Sequence, residues 1–326
     1  MITLLIIALA LVLCELVYFK IADHYNIIDK PNQRSSHTSI TLRGGGIIFY
    51  FGALAFFIAS GFEYPWFMIG LTLISAISFV DDVHSVPNRV RISIHFISML
   101  LMFYQLGFLN LESWWIILVA LIVCTGIINA YNFMDGINGI TGAYSLSILI
   151  PLAIANHHLG FVNQELVWIS GISLLIFCFF NFRKKAKCFA GDIGSVSIAF
   201  ILLFMVGALI LASGDLWYII FFAVYGADSI LTICHRLMLH ENIFKPHRKH
   251  AYQIMANEMH IPHTAVSSIY FALQLMISLG AIYLPINKWL YFTAVIVILA
   301  NAYLAFMKKN YKLHEAYLAS LPKAQC

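Results

Sequence analysis

The sequence predicts an all-α polytopic membrane protein that crosses the bilayer about eleven times. Hydrophobic residues make up 61% of its 326 positions and charged residues only 10%, whereas a soluble globular domain carries roughly 25% charged residues. The apolar runs are long and unbroken, which favours helices over the short alternating segments of a membrane β-barrel. The first twenty residues have neither a basic start nor a small-residue cleavage site, so we interpret them as an uncleaved membrane helix.

Eleven apolar runs approach the length of about 20 residues that a membrane-crossing helix needs. In chain order they lie near 2–20, 46–61, 65–80, 92–109, 114–131, 140–157, 166–182, 194–213, 216–234, 264–284 and 288–307. The six cysteines are scattered and form no C-x-x-C pair, which indicates neither a zinc site nor a disulfide framework. We therefore expect one integral-membrane domain over 1–326, with its longest polar loop over 235–263.

The distribution of charge predicts the orientation. With the N-terminus placed outside, the Lys and Arg residues fall in inner loops or at inner helix ends, with the single exception of Lys288. Cationic residues in short loops favour the cytoplasmic side of a membrane. The outer loops then carry acids at 63, 112, 165 and 215. The sequence therefore predicts an N-terminus out, C-terminus in topology.

Two adjacent acids, Asp81 and Asp82, end the third apolar run. Neighbouring carboxylates at a membrane boundary repel each other and are costly to desolvate, unless a metal ion or a cationic side chain lies beside them. A solvated loop that caps the following helix is the alternative.

A polar stripe ends the fifth run. Asn129, Asn132 and Asp135 recur every three residues, so on a helix they share one face. Asn138 follows, between two glycines that allow a close backbone approach. Such a stripe at a membrane boundary indicates a ligand pocket, with hydrogen bonding between packed helices as the alternative.

Asp192 lies between two glycines just before a long apolar run. Asp192 or Gly191 could serve as the N-cap of that helix, whose free N–H groups suit an anion. A plain helix cap without a ligand is the alternative. The preceding basic run 183–187 reads most simply as an anchor on the inner face that also suits lipid phosphate.

The inner loop 235–263 contains a cluster of His247, Arg248 and His250. These side chains supply donors for phosphate or sugar hydroxyls. The H-x-x-H spacing also suits zinc, although no Cys or acid is well placed beside it, and a generic basic loop is a further alternative. Arg43, before a triple glycine, is another candidate for phosphate. Asp228 lies within a predicted span and needs a partner, for which Arg236 is a candidate.

Taken together, these clusters resemble the polyprenyl-phosphate N-acetylhexosamine-1-phosphate transferases of glycosyltransferase family 4. The resemblance rests on four motifs in the family's order: DD at 81–82, NxxNxxDGxxG at 129–139, GDxGS at 191–195 and PHRxHxYQ at 246–253. It is strongest to the branch that initiates O-antigen or other surface polysaccharides. One position departs, because family members often carry an acid where this chain has Asn138.

The resemblance implies transfer of a sugar-1-phosphate from a UDP-sugar to undecaprenyl phosphate, with release of UMP, at the cytoplasmic face of a bacterial inner membrane. It implies Mg²⁺, with Mn²⁺ as a substitute, held by Asp192 and Asp135. Asp81 and Asp82 would be the catalytic pair. The remaining candidates would bind substrate: Asn129, Asn132, Asp135, Asn138, His247, Arg248, His250 and Arg43. No nucleic-acid partner is implied, and a homodimer is compatible.

Two other functions fit parts of the sequence. A transporter for an anionic solute would also use acids within the membrane, although it would place polar residues near the middle of the bilayer and often show internal repeats. An inactive member of the family, serving as a scaffold for polysaccharide assembly, is the other alternative, and the amide at Asn138 is what favours it.

Overall fold

The computed structural model describes residues 2–31, 36, 39–109, 114–243 and 247–320. The helices in this part of the chain are α1 (Ile2–His24), α2 (Ile47–Ala59), α3 (Pro65–Val83), α4 (Asn88–Gln105), α5 (Trp114–Met134), α6 (Ile140–Leu159), α7 (Gln164–Asn181), α8 (Gly191–Ser213), α9 (Ala223–Met238), α10 (Ala251–Gln253), α11 (His263–Tyr283) and α12 (Lys288–Ser320). A 3₁₀ segment, Leu216–Phe222, leads into α9, and a π-helical turn, Ile254–Glu258, follows α10.

Each of the eleven predicted apolar runs coincides with helix, which confirms the predicted fold class. Nine helical segments in the described residues are long and apolar enough to cross a membrane. The other two runs correspond to α2, which has only 13 residues, and α4, which begins with two arginines. The last helix is longer than predicted and continues to Ser320, because its sequence contains no glycine or proline before Pro322.

The most buried element is α8, which is apolar on every side. In its membrane-crossing part 78% of the residues are buried, against 17% in α1, α5 and α12. A helix that is apolar on every side is either buried within protein or exposed to lipid, and α8 is buried because it packs against α2, α3, α5 and α6. The start of α8 is therefore fixed at the centre of the bundle.

A small sheet connects the loop after α1 to the start of α8. Strands β1 (Ile28–Asp29) and β2 (Thr41–Leu42) pair antiparallel, and Leu42 forms a parallel bridge to Cys188. The glycines that follow β2 let the backbone approach closely, because a Cβ at Gly46 would overlap Gly194. This contact holds the segment that carries Arg43 against the N-terminus of α8.

The polar clusters lie at one end of the helix bundle. The C-terminal part of α12 reaches this end, where His314 Nδ1 lies 3.1 Å from Glu258 Oε1. At 33 residues, α12 is about 50 Å long, which exceeds the hydrocarbon thickness of about 30 Å. The end of α12 therefore projects beyond the apolar layer and supports the polar loop before α11.

Candidate active site

The N-terminus of α8 is capped by an acid from the end of α3. Asp82 accepts hydrogen bonds from the backbone N–H groups of Asp192 (2.9 Å) and Ile193 (3.0 Å). Arg43 Nε lies 2.6 Å from Asp82 Oδ1, and the Asp82 side chain is fully buried. Helix N–H groups and a guanidinium together stabilise a buried carboxylate. The cap therefore comes from α3, and Asp192 lies in the first turn rather than at the N-cap.

Two arginines join three of the predicted acids into one cluster. Arg43 Nη2 lies 3.2 Å from Asp192 Oδ1. Arg91 Nη1 lies 2.7 Å from Asp81 Oδ2, and its Nη2 lies 3.6 Å from Asp192 Oδ2. Acids that are separated by more than 100 positions therefore share their counter-ions. Asp81 also accepts a hydrogen bond from the Val86 N–H at 2.7 Å.

Asp135 and Asp192 line a common polar cavity of about 280 Å³, which we call the acid cavity. Asn132 also lines this cavity, and its Nδ2 donates to Ser195 Oγ at 3.3 Å. Thr141 donates to Asp135 Oδ1 at 2.6 Å. Burial raises the pKa of Asp135 to about 7, although the hydrogen bond from Thr141 opposes the shift.

The donor chemistry of the acid cavity fits a magnesium ion. In the part of the chain that the structure describes, no three His, Cys, Asp or Glu side chains form a complete metal site. Magnesium does not need one, since it binds through one or two carboxylates together with water and substrate phosphates. When ionised, Asp81, Asp82, Asp135 and Asp192 carry four negative charges against the two positive charges of Arg43 and Arg91. The excess of two negative charges is what one divalent cation would neutralise.

Asn138 makes contacts that require its amide group. Its Nδ2 donates to the backbone carbonyls of Arg183 (2.9 Å) and Lys184 (3.2 Å). The backbone carbonyl of Asn138 accepts a hydrogen bond from Ser267 Oγ at 2.8 Å. Asn138 lines the acid cavity and joins the start of α6 to the 182–190 segment and to α11. A carboxylate could not donate these two hydrogen bonds.

The loop with the predicted basic cluster packs onto the polar stripe of α5. Tyr252 Oη donates to the Phe133 carbonyl at 2.9 Å, and a Cβ at Gly136 would overlap the Tyr252 hydroxyl. Asp228 on α9 accepts from the Ala251 N–H at 3.0 Å and from Tyr270 Oη at 2.6 Å. The buried acid within α9 therefore anchors this loop, and its partners differ from the Arg236 that the sequence suggested.

His247 and His250 face a second cavity of about 450 Å³, which we call the histidine cavity and which Asn129 also lines. His250 is only 2% exposed. Its Nδ1 lies 3.3 Å from Asp228 Oδ1, and its buried Nε2 has no hydrogen-bond partner among the described residues. Burial lowers the pKa of His247 to about 3. Two imidazoles therefore line a cavity that can accept polar groups.

Arg248 occupies a different position from the two histidines. Its Nη2 lies 3.0 Å from Glu258 Oε1, and both side chains are buried. Glu258 in turn contacts His314 on α12. The described linings of the two cavities do not include Arg248. This geometry suits a residue that stabilises the loop, and its predicted contact with substrate stays a prediction.

The three cavities adjoin one another. Asn132 and Gln253 line both the acid cavity and the histidine cavity. Asn129 and Phe133 line both the histidine cavity and an apolar groove of about 590 Å³, formed mainly by α5, the segment 216–238 and α12. A continuous surface thus leads from apolar side chains, past imidazoles, to a group of carboxylates.

Several known proteins have sequences similar to this chain. The family model of glycosyl transferase family 4 matches residues 64–212, a range that contains all four acids of the cluster. A probable undecaprenyl-phosphate N-acetylglucosaminyl 1-phosphate transferase of Bacillus subtilis is 27% identical over 199 residues, which is 56% of this chain and 55% of the relative. An undecaprenyl-phosphate alpha-N-acetylglucosaminyl 1-phosphate transferase of Yersinia pestis is 26% identical over 91% of this chain and 87% of the relative.

The chain is similar to glycosyl transferase family 4 over residues 64–212, just under half of its length. A second branch of relatives is also similar, since a phospho-N-acetylmuramoyl-pentapeptide-transferase of Thermotoga petrophila is 28% identical over 58% of this chain and 66% of the relative. The chain spans just over half the length of the Bacillus relative and most of the Yersinia one. The family match ends before His247, so the histidine loop lies outside it.

The site also contains residues that the sequence analysis did not single out as candidates. They are Arg91, His95, Gln253 and His263, which line one or both cavities. His95 is buried in α4, and its Nε2 has no hydrogen-bond partner among the described residues. Arg91 and His95 are four positions apart just after the paired acids, so they share one face of a helix. This spacing could have identified them from the sequence, although neither residue belongs to a motif.

Proposed function

We propose that the protein transfers a sugar-1-phosphate of the N-acetylhexosamine type from a UDP-sugar to undecaprenyl phosphate and releases UMP. The observation that carries the proposal is the sequence of three adjoining cavities, from the apolar groove through the histidine cavity to the acid cavity. A lipid-linked phosphate and a soluble nucleotide sugar need such a surface, because one substrate arrives through the membrane and the other through water. The relatives' names agree with this reaction.

The nucleotide of the donor suits the acid cavity. Asn138 and Asn181 line it together with Phe189, and amides beside an aromatic ring suit a planar base with several hydrogen-bonding edges. The diphosphate would then extend past Asn132 and Gln253, which border both cavities. This direction brings the phosphate that carries the sugar towards His247 and His250.

The polyprenyl chain suits the apolar groove. Tyr225, Gly226 and Ile230 line the groove along α9, which is apolar enough for a lipid tail. A lipid in this groove would place its phosphate beside Asn129, at the entrance of the histidine cavity. Each acceptor molecule would thus enter from the bilayer without crossing the acid cavity.

In the reaction, an oxygen of the lipid phosphate attacks the sugar-bearing phosphorus, and the bond to the bridging oxygen of UMP breaks. A magnesium ion at Asp192 and Asp135 would neutralise charge on the diphosphate. Phosphate oxygen is already nucleophilic, so catalysis depends mainly on positioning and charge stabilisation. His250 Nε2, which has no hydrogen-bond partner among the described residues, would form a hydrogen bond to the departing or attacking phosphate.

Asp81 and Asp82 act in this proposal mainly by positioning. Asp82 holds Asp192 through the start of α8, and Asp81 holds Arg91 at 2.7 Å. Arg43 and Arg91 each contact two acids, and phosphate oxygens could take over some of these contacts when substrate binds. The predicted catalytic pair thus orders the metal ligand and the cations around it.

We place this site at the cytoplasmic face of a bacterial inner membrane. The argument is the enrichment of Lys and Arg at the site end of the helices, together with the cytosolic origin of nucleotide sugars. The same placement gives the N-terminus outside and the C-terminus inside.

A donor panel tests the proposal. Purified protein in nanodiscs is incubated with Mg²⁺, undecaprenyl phosphate and several UDP-N-acetylhexosamines, including 6-deoxy sugars, while UMP and lipid-linked sugar are measured. We expect stoichiometric UMP and lipid product with at least one donor. Absence of both products across the panel, from protein with a normal unfolding temperature, would reject the transferase and leave the scaffold function.

Asp192→Asn provides the matched control for chemistry. The substitution keeps the size of the side chain but removes charge at the proposed metal ligand, so we expect turnover to fall at least about 100-fold. Normal Mg²⁺-dependent turnover would exclude Asp192 as the ligand. Flux of a labelled anionic solute into proteoliposomes, without any UMP, would instead support the transporter.

A further inference from the structure

We propose that the protein has a separate binding site for an anionic phospholipid, in a groove between α6, α7 and α11. The groove has a volume of about 680 Å³ and is mostly apolar, which lies within the range of small-molecule sites. Its walls include Leu146 on α6, Phe179 on α7 and Phe271 on α11. The α5–α9–α12 groove assigned to the polyprenyl chain shares none of these residues.

A fixed cation lies at the site end of this groove. Arg183 lines the groove, and its guanidinium carbon lies 4.5 Å from the ring centroid of Phe179. Its Nε donates to the Phe179 carbonyl. These contacts hold the guanidinium at the rim, and among the described residues no carboxylate forms an ion pair with it. The rim therefore presents positive charge that no carboxylate of the described residues neutralises.

Three exposed lysines extend this positive charge. Lys184, Lys185 and Lys187 follow Arg183 directly, and each is exposed. An anionic headgroup near a membrane surface gains from each nearby Lys or Arg, and guanidinium binds phosphate through paired hydrogen bonds. An apolar groove that ends at such a cluster matches a lipid with an acyl chain and a net negative headgroup, and it favours this lipid over a zwitterionic one.

The same segment borders the acid cavity. Phe182 lines the lipid groove and lies so close to Gly139 that a Cβ there would overlap its ring. Asn138 holds the carbonyls of Arg183 and Lys184. Asn181 Nδ2 donates to the Cys188 carbonyl at 2.7 Å. A lipid bound at Arg183 would therefore restrict the motion of one wall of the acid cavity. We expect this restriction to raise turnover, an effect that rests on the function proposed above.

Lipid retention tests the site without using activity. Protein purified in mild detergent is mixed with phosphatidylglycerol or phosphatidylcholine, and bound lipid is counted by native mass spectrometry. We expect preferential retention of phosphatidylglycerol, and Arg183→Gln should weaken it roughly fivefold, the effect of removing one cation beside an anionic headgroup. Ser268→Phe, which narrows the groove and leaves every charge in place, should also weaken retention.

Lys309→Gln is the matched control, because Lys309 is an exposed lysine on α12 that does not line the groove. Unchanged retention in both Arg183→Gln and Ser268→Phe, or equal retention of the two lipids, would overturn the proposal. A change in oligomeric state with Ser268→Phe and no change in lipid retention would overturn it as well, and would assign this face to a second copy of the chain.

Turnover provides the second arm. In phosphatidylcholine nanodiscs with increasing phosphatidylglycerol, we expect UMP release to rise and Arg183→Gln to require a higher fraction of the anionic lipid. Specific retention without any turnover would refute the proposed transferase and leave the lipid site standing. Turnover that is independent of Arg183, with no specific retention, would refute the lipid site alone.

Discussion

At the scale of single residues, the buried pair of His250 and Asp228 sets the chemistry of the histidine cavity. Asp228 holds Nδ1 at 3.3 Å, so Nε2 is directed away from the carboxylate. The carboxylate thus fixes the orientation of the ring, and the Nε2 of His250 has no hydrogen-bond partner among the described residues. The pair therefore offers an oriented imidazole for a hydrogen bond to a phosphate.

We predict that His250→Ala lowers kcat for UMP release about 100-fold, within the range for loss of an acid–base group. Asp228→Asn should lower kcat less, since the ring remains. The double variant should be no slower than His250→Ala alone, because Asp228 acts through His250. The control is His158→Ala, which alters an exposed histidine far from His250 in the sequence and should leave turnover unchanged. If kcat of the double variant instead fell by the product of the two single losses, Asp228 would have a role that does not depend on His250.

The amide of Asn138 leads to a second prediction. Although family members often carry an acid here, Asn138→Asp would place a carboxylate against two backbone carbonyls. We expect it to lose roughly 1–3 kcal/mol of stability, the cost of unsatisfied buried groups, and to lower turnover. Asn138→Ala serves as the comparison, because it removes the donors without adding charge. A higher turnover in Asn138→Asp, measured beside its unfolding temperature, would contradict this view and restore a catalytic role to the position.

At the scale of elements, α12 and the loop before α11 form one structural unit. Glu258 contacts both Arg248 and His314, while Lys249 pairs with Glu241 and lies 3.1 Å from the Tyr311 hydroxyl. Polar side chains near the end of α12 thus hold the loop that carries the two histidines. The helix reaches this loop because its 33 residues extend beyond the apolar layer.

We predict that Arg248→Ala and Glu258→Gln have the same effect. Each removes one side of the buried Arg248–Glu258 ion pair, which costs roughly 3–5 kcal/mol, so both should lower the unfolding temperature, increase proteolysis of the loop and raise KM for the UDP-sugar. If Arg248 instead touched substrate, Arg248→Ala alone would raise KM, and Glu258→Gln would behave like the unaltered protein.

Sequence patterns predicted the elements better than their contacts. Hydrophobic runs located the helices, because a bilayer-spanning helix has a fixed length and an apolar composition. They did not predict that Asp82 caps α8 or that Asp228 holds the histidine loop, since both contacts join residues that are distant along the chain. The sequence grouped the four acids only through the order of motifs shared with a known family. Arg91 and His95 were recognised only once the folded structure placed them beside the acids and the histidine cavity.

At the scale of the whole molecule, the apolar groove is the route that we assign to the lipid acceptor. Gly226 lines it, and a side chain added at this glycine would meet open space. We predict that Gly226→Leu raises KM for undecaprenyl phosphate about tenfold and leaves KM for the UDP-sugar unchanged. Leucine has a higher helix propensity than glycine, so the fold should persist.

The control for this prediction is Gly226→Ala, which adds a single methyl group and should have little effect. A short-chain polyprenyl phosphate should be less sensitive to Gly226→Leu, because it fills less of the groove. Equal effects on both acceptors, measured under the same conditions, would place the lipid elsewhere.

The acid buried within α9 also has a consequence for biogenesis. A lone carboxylate near the centre of a membrane helix opposes insertion by about 2.5–3.5 kcal/mol, and Asp228 gains its partners Ala251 and Tyr270 only after more of the chain has been synthesised. The segment 216–238 should therefore settle in the bilayer late, when the histidine loop folds back onto it. A chain that is truncated before His250 would lack these partners and leave this helix poorly inserted and exposed to membrane proteases, so that stable accumulation in the cell would itself report an assembled active site.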